Sequence, residues 1–183
     1  NAYIDQYAFF GCKSLKEINL PKSLVSIGDS AFKDCKSLEV VKMDSTVLET
    51  VGKSAFEGCT SLKEIYMPNN TSVDFYSGAF VNDKAIETIY IANSHLNQWL
   101  TYNFSDETSN PLYVGDVTIK AYVSQVNDYV EIDGIDLTTS YGTTVPDFAF
   151  YNTKYNIIGL DSVIYAGDYA FAKVDSLVNI YLD

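Results

Sequence analysis

Residues 11–32 read GCKSLKEINLPKSLVSIGDSAF, and the same unit recurs as DCKSLEVVKMDSTVLETVGKSAF at 34–56 and GCTSLKEIYMPNNTSVDFYSGAF at 58–80. Each unit ends in an Ala-Phe pair, and the first four pairs lie 23 or 24 residues apart. The pairs are Ala8-Phe9, Ala31-Phe32, Ala55-Phe56, Ala79-Phe80, Ala149-Phe150 and Ala170-Phe171. A fixed period of this length predicts stacked repeats that bury one continuous core, and an antiparallel β-sandwich does not predict it.

A second pattern lies between the Ala-Phe pairs. Three apolar residues recur with the spacing L-x-x-I-x-L, which predicts one β-strand per repeat, and a second short extended piece follows and ends at Ala-Phe. In the shorter unit near residue 155 we align Tyr155, Ile158 and Leu160 with this triplet. The other triplets are Leu15, Ile18, Leu20; Leu38, Val41, Met43; Leu62, Ile65, Met67; Ile86, Ile89, Ile91; Ile132, Ile135, Leu137; and Leu177, Ile180, Leu182.

The composition narrows the class of protein. The chain has 183 residues, of which 24 are acidic and 12 are lysine, with no arginine and a formal net charge of −12. Such a chain is a poor ligand for the phosphate backbone, so we expect no nucleic-acid partner. No apolar run reaches the length of a transmembrane helix. Residues 85–183 carry ten of the twelve net negative charges. We interpret them as a solvated surface; the alternative is a surface that selects cationic partners.

The pattern G-C-x-S-L-x-x-I-x-L-P followed by I-G-x-x-A-F resembles the BspA-like leucine-rich repeat. The resemblance implies a leucine-rich-repeat β-solenoid, a curved array of units of about 23 residues with a parallel sheet. It also implies a secreted or surface-anchored protein, usually bacterial, used for adhesion or protein binding. We predict one domain over 1–183, with regular repeats at 1–92, a divergent insertion at 93–131 and resumed repeats at 132–183. We expect the chain to be a fragment of a longer array.

The segment after residue 93 breaks the period. Leu96, Trp99, Leu100 and Phe104 follow the spacing of a short amphipathic helix, with Ser94 as its N-cap. One interpretation packs Trp99 into the core. The alternative places Trp99 and His95 in a ligand groove.

Several residues raise the question of chemistry. Cys12, Cys35 and Cys59 occupy one column of the repeat, as free, buried, small apolar side chains or, if oxidised, as a bridged pair. The column lacks the four ligands of a zinc site. Asp128, Glu131, Asp133 and Asp136 form an acidic cluster whose spacing does not match a calcium loop, and we interpret it as mostly solvated. No nucleophile elbow, Walker loop or H-E-x-x-H motif occurs, so we predict no enzymatic activity, no cofactor and no metal.

The best binding candidates lie on the outward face of the main sheet. Side chains alternate across a strand, so the residue between the last two apolar positions of each triplet points away from the core. This column is predicted to contain Asn19, Lys42, Tyr66, Tyr90, Asp136, Gly159 and Tyr181, with Lys63 beside Glu87 and Glu64 beside Thr88 on its flank. The predicted ligand-binding residues are Lys42, Lys63, Tyr66, Glu87, Tyr90 and Tyr181. Alternatively, the tyrosine pair only stabilises the sheet.

The outward sheet face predicts a module that binds a protein or glycan, and the family resemblance implies that it is extracellular or at the cell surface. Two alternatives remain open. One is a structural spacer that presents another domain. The other is carbohydrate binding through exposed Tyr66, Tyr90 and Trp99.

Overall fold

The computed structural model describes residues 1–92, 96, 98–138 and 143–177. These residues form the predicted parallel β-solenoid, in about seven turns, most of which contribute two short strands. Strands are numbered in chain order. The main sheet has the spatial order β11-β10-β8-β6-β4-β2, and its strands are β2 (Glu17–Asn19), β4 (Val40–Lys42), β6 (Glu64–Tyr66), β8 (Thr88–Ile91), β10 (Thr118–Val123) and β11 (Asp128–Glu131).

A second sheet lines the opposite side of the coil. Its strands are parallel and stack in the order of the turns, namely β1 (Ala2–Ile4), β3 (Leu24–Ile27), β5 (Thr50–Val51), β7 (Asp74–Phe75) and β9 (Asn103–Phe104). The Ala-Phe pairs lie in the turns after these strands rather than at the ends of the strands themselves. Each turn bonds to the next one through its backbone, as Phe32 N–H does to the Ala55 carbonyl at 2.8 Å.

The Phe side chains of successive turns stack in the core. Ring centroids are 5.0 Å apart for Phe9 and Phe32, 5.2 Å for Phe32 and Phe56, and 5.6 Å for Phe56 and Phe80, with planes within 4° of parallel. Phe32, Phe56 and Phe80 are completely buried. Burying one such side chain contributes about 1.5–3 kcal/mol, so this stack is a main source of the solenoid's stability.

The glycines of I-G-x-x-A-F and V-G-x-x-A-F, Gly28 and Gly52, lie where the backbones of neighbouring turns approach closely. A Cβ on Gly52 would lie 2.6 Å from the backbone nitrogen of Asp29 in the previous turn. A Cβ on Gly28 would lie 2.5 Å from the nitrogen of Gln6. A side chain at Gly28 or Gly52 would therefore push two neighbouring turns apart.

The segment between β8 and β10 contains three short 3₁₀ helices, at Trp99–Thr101, Glu107–Ser109 and Pro111–Val114. The predicted amphipathic helix is shorter than its apolar spacing indicated, because Phe104 lies in β9 and pairs with Phe75 of β7. Gln98 precedes the first helix, and Ser94 and His95 lie outside the described residues. Trp99 is 1% exposed, and its Nε1–H donates to the Ala149 carbonyl at 2.7 Å, which confirms the interpretation that packs Trp99 into the core.

Beyond β10 the main sheet stops stacking. β10 turns back into the antiparallel strand β11, and the following strands form two separate pairs. These are β12 (Ile135–Asp136) with β14 (Ile157–Ile158), and β13 (Thr143–Val145) with β15 (Val163–Ala166). Ile135 pairs with Ile157, which is buried, while Ile158 is 49% exposed. The alignment of Ile158 with the inward apolar position was therefore wrong by one residue, because the buried residues Tyr155 and Ile157 lie two positions apart in this unit rather than the three of L-x-x-I.

Candidate interaction surface on the main sheet

The outward column of the main sheet is continuous over five strands. The parallel register pairs Asn19 with Lys42, Lys42 with Tyr66, and Tyr66 with Tyr90. Lys120 of β10 pairs with Tyr90 and extends the column. The inward neighbours Val41, Ile65 and Ile89 are completely buried, and this alternation fixes the column on the outer face.

Tyr66 and Tyr90 stack on each other at the centre of this column. Their ring centroids are 4.1 Å apart, and their planes differ by 8°. Both side chains are half-buried. The pair therefore forms one aromatic face, and each ring covers part of the other ring and shields it from solvent.

The hairpin of β10 and β11 adds two more tyrosines to this face. Tyr129 packs edge-on against Tyr66 and Tyr90, at centroid distances of 5.8 and 5.1 Å. Tyr122, which pairs with Tyr129 across the hairpin, lies 5.5 Å from its ring. We call this group the tyrosine surface; it consists of Lys42, Tyr66, Tyr90, Lys120, Tyr122 and Tyr129.

Lysines flank the aromatic rings at both ends of the stack. The Lys42 ammonium lies 5.4 Å from the Tyr66 ring centroid, and the Lys120 ammonium lies 5.9 Å from that of Tyr90. Both distances are within the range of a cation–π contact. Lys42 also donates to Glu17 Oε1 at 2.7 Å, so the lysine is held between a carboxylate and a ring.

Tyr90, Tyr129 and Lys42 do not change their protonation state near neutral pH. Burial and the neighbouring Glu64 charge raise the pKa of Tyr90 to about 12. Burial also raises the pKa of Tyr129. The hydrogen bond to Glu17 raises the pKa of Lys42. Tyr90 and Tyr129 are therefore neutral phenols and Lys42 is a cation across the physiological range.

The structure places most of the predicted site residues together. Lys63 lies beside Glu87, with Nζ 3.8 Å from Oε1, and Glu64 pairs with Thr88. Asp136 does not continue the column: it belongs to a separate sheet and pairs with Ile158 rather than Gly159. Tyr181 lies outside the described residues. A role of Lys42, Lys63, Tyr66, Glu87 and Tyr90 in binding stays a prediction.

Sequence reasoning missed Lys120, Tyr122 and Tyr129. They belong to the segment without an Ala-Phe pair, so the repeat alignment did not assign them a position. A signal was present: Ile119, Ala121 and Val123 alternate with Lys120 and Tyr122, and the mostly polar stretch at 124–127 before the next run favours a turn. Asn127 has a left-handed backbone with φ of 52°, as such a turn requires.

The cysteine column and the acidic cluster do not form a metal site in the described residues. Cys35 and Cys59 are free and fully buried, and their thiols donate to the Phe9 and Phe32 carbonyls at 3.1 and 3.2 Å. The interpretation as buried, small apolar side chains is thus confirmed for these two. Asp128, Glu131, Asp133 and Asp136 are all exposed. Over the ranges that the structure describes, no three His, Cys, Asp or Glu side chains are grouped to hold a metal ion.

Comparison with known proteins assigns the family. A model of the BspA-type leucine-rich repeat region matches residues 1–110 and 117–183, in six copies. The chain belongs to this family. BspA-type repeats indicate a protein-interaction module, and repeat scaffolds of this kind are typically non-enzymatic.

Two solved structures are similar to this BspA-type chain. A leucine-rich repeat protein of T. pallidum shares 16% identity with a TM-score of 0.41, over 91% of this chain and 73% of that one. A leucine-rich repeat protein from Bacteroides ovatus shares 17% identity with a TM-score of 0.38, over 94% of this chain and 62% of that one. A search of curated proteins gives no match. In the described part of the chain, no helix has the length and apolarity needed to cross a membrane.

Proposed function

We propose that the chain is a non-enzymatic binding module that engages a protein ligand through the tyrosine surface. The observation that carries this proposal is the stacked Tyr66 and Tyr90 pair, half-buried on the outward face with a lysine against each ring. Tyrosine is enriched at the centres of recognition surfaces. The rings are already ordered by Tyr129, so a ligand would meet a surface that loses little conformational freedom on binding.

The proposed ligand is an extracellular protein, and the chain is placed outside the cell or at its surface. BspA-type repeats are commonly secreted or surface-displayed, and this supports the location. The four phenol groups supply hydrogen-bonding hydroxyls beside apolar ring faces, and the lysines favour a ligand with carboxylates. A negative ligand patch would fit this face, although the chain as a whole is acidic.

The alternatives are weakened by different observations. Carbohydrate binding relied partly on an exposed Trp99, and Trp99 is buried. A spacer needs only a stable solenoid, and the aromatic cluster on the outer face has no role in that function beyond sheet stabilisation of about 0.2–1 kcal/mol per pair. Adhesion through the tyrosine surface accounts for the cluster and its flanking lysines together.

The proposal is tested by capture from a defined panel. The purified chain is immobilised and exposed to individual extracellular-matrix proteins and mucin glycans, beside the Tyr66→Ser/Tyr90→Ser variant. Capture of a matrix protein by wild type, with loss in the variant, would support the proposal. Capture of mucin glycans alone would favour carbohydrate binding, and capture of none would favour the spacer.

A further inference from the structure

A groove opens where the solenoid's main sheet is interrupted. It lies between the β10–β11 hairpin and the pair β12–β14, and its volume is about 550 Å³, within the range of roughly 300–1,000 Å³ typical of ligand pockets. β11 is the terminal strand of the main sheet, and β12 pairs with β14 alone among the described strands. Strand edges without a partner strand therefore border the groove.

The walls of the groove are apolar. On the hairpin side they include Val123, Ala121 and Val130, and Ala121 pairs with Val130 on the face opposite to Tyr122 and Tyr129. On the other side the groove is lined by Ile158 and Ile135. Val130 and Ile158 are 47% and 49% exposed. The hairpin thus has two different faces, with the tyrosine surface on one and the groove on the other.

Three carboxylates accompany these apolar walls. Glu131, Asp133 and Asp136 line the groove and are exposed, and none of the described residues that line it is cationic. Hydrogen bonds from the Thr138 hydroxyl and N–H lower the pKa of Asp136, which keeps this carboxylate ionised. The surrounding half of the sequence, residues 85–183, carries a net charge of −10.

We propose that this groove binds an extended cationic segment of a partner protein, independently of the tyrosine surface. Alternating apolar side chains of the segment would insert between the hairpin and β14. Its lysine or arginine side chains would meet the three carboxylates. An extended conformation fits a site bordered by strand edges, and the charge complementarity excludes a segment with the acidic character of this chain itself.

The test uses a labelled, N-acetylated peptide of alternating lysine and valine as the probe, with binding to the full chain followed by fluorescence anisotropy. We expect saturable binding that weakens as salt is raised. In Glu131→Gln/Asp133→Asn/Asp136→Asn the affinity should fall about tenfold, since three exposed charge contacts are lost. In Val130→Ser/Ile158→Ser it should fall by a similar factor, and circular dichroism establishes that both variants are folded.

Matched controls separate the groove from general acidity. Asp5→Asn/Glu39→Gln/Glu49→Gln removes the same number of exposed carboxylates elsewhere and should bind the probe as wild type does. Tyr66→Ser/Tyr90→Ser should also retain binding, because the tyrosine surface is a different face. Equal losses in the two carboxylate variants, equal binding of a glutamate–valine peptide, or no binding by wild type would overturn the proposal.

Discussion

At the scale of single residues, the cysteine column contains a buried acid. Asp83 follows Cys12, Cys35 and Cys59 in the column and is completely buried. Within the described residues, neither of its carboxylate oxygens has a hydrogen-bond partner. Its own N–H is close to the Phe80 carbonyl and the Tyr113 hydroxyl. Burial, together with the nearby Glu57 charge, raises the pKa of Asp83 to about 9, so the native protein holds this side chain protonated at neutral pH.

Asp83 should make stability depend on pH. The native state keeps the proton up to about pH 9, and the unfolded chain releases it near the ordinary carboxyl value of 3.8. The native state therefore binds more protons in this interval, and the free energy of unfolding should fall as pH rises. Asp83→Asn should reduce this fall and should be more stable than wild type at pH 8. Urea denaturation at pH 5, 6.5 and 8 measures the difference between the two proteins, and a constant difference would contradict the assignment.

A second variant tests the structural cause. Asp83→Cys restores the side chain that the previous repeats carry, where the Cys59 thiol donates to the Phe32 carbonyl. It should stabilise the protein by a margin that grows with pH, as Asp83→Asn does. If both variants destabilise the chain at every pH, the carboxyl makes a favourable interaction that its burial without partners does not reveal.

At the scale of elements, a substitution in the middle of the Phe stack should lower the free energy of unfolding more than one at its end. Phe56 contacts Phe32 and Phe80 on its two sides, whereas Phe9 is partly buried and stacks on Phe32 alone. We expect Phe56→Ala to cost about 3–5 kcal/mol of unfolding free energy, from lost burial plus the cavity. Phe9→Ala should cost less than half as much. Urea denaturation gives both values, and equal losses would contradict a stack whose energy depends on neighbours.

The segment around the 3₁₀ helices joins the two parts of the solenoid. Trp99 and Asn110 both donate to the turn that carries Phe148 and Ala149, with Asn110 Nδ2 2.7 Å from the Phe148 carbonyl. Asn110 also accepts from Leu112 N–H and so caps the third 3₁₀ helix. These polar bonds replace the Phe stacking that the regular turns use.

Removal of the Asn110 side chain should weaken this junction. Asn110→Ala leaves the N–H of the buried Leu112 without its acceptor and should cost about 1–3 kcal/mol. The loss should appear first as local opening of residues 143–177, detected by hydrogen exchange, with residues 17–91 remaining protected. The control is Thr101→Ala, a substitution at a partly exposed position of the same segment. Uniform loss of protection along the whole chain would show that the junction is not a separate weak point.

At the scale of the whole molecule, the repeat alignment predicted the periodic part of the fold and the place where the period breaks, but not the hairpin that forms there. The Ala-Phe spacing located the Phe stack, and the L-x-x-I-x-L triplets placed Tyr66 beside Tyr90. The β10–β11 hairpin follows a two-residue alternation that the repeat alignment does not contain, so Lys120, Tyr122 and Tyr129 were missed. The choice between Ile157 and Ile158 depends on which residue the neighbouring turn can pack, and a shortened unit leaves that choice open.

The interruption also gives the molecule its two proposed binding faces. The hairpin projects from the end of the main sheet, and its outer side completes the tyrosine surface. Its inner side faces the acidic groove. A regular repeat at the position of the hairpin would have added one residue to the outward column of the main sheet. The hairpin adds Lys120, Tyr122 and Tyr129 instead, so the break in the period concentrates aromatic and charged side chains on this face.

The most direct test of the central claim is the dissociation constant of a captured matrix protein for two variants matched in the number of tyrosines removed. Tyr66→Ser/Tyr90→Ser removes the stacked pair, and Tyr3→Ser/Tyr76→Ser removes two exposed tyrosines outside the tyrosine surface. We predict that the first variant binds at least tenfold more weakly than wild type, a loss of about 1.4 kcal/mol or more, and that the second binds as wild type does. Equal affinity of wild type and the Tyr66→Ser/Tyr90→Ser variant would contradict the assignment of ligand binding to the tyrosine surface.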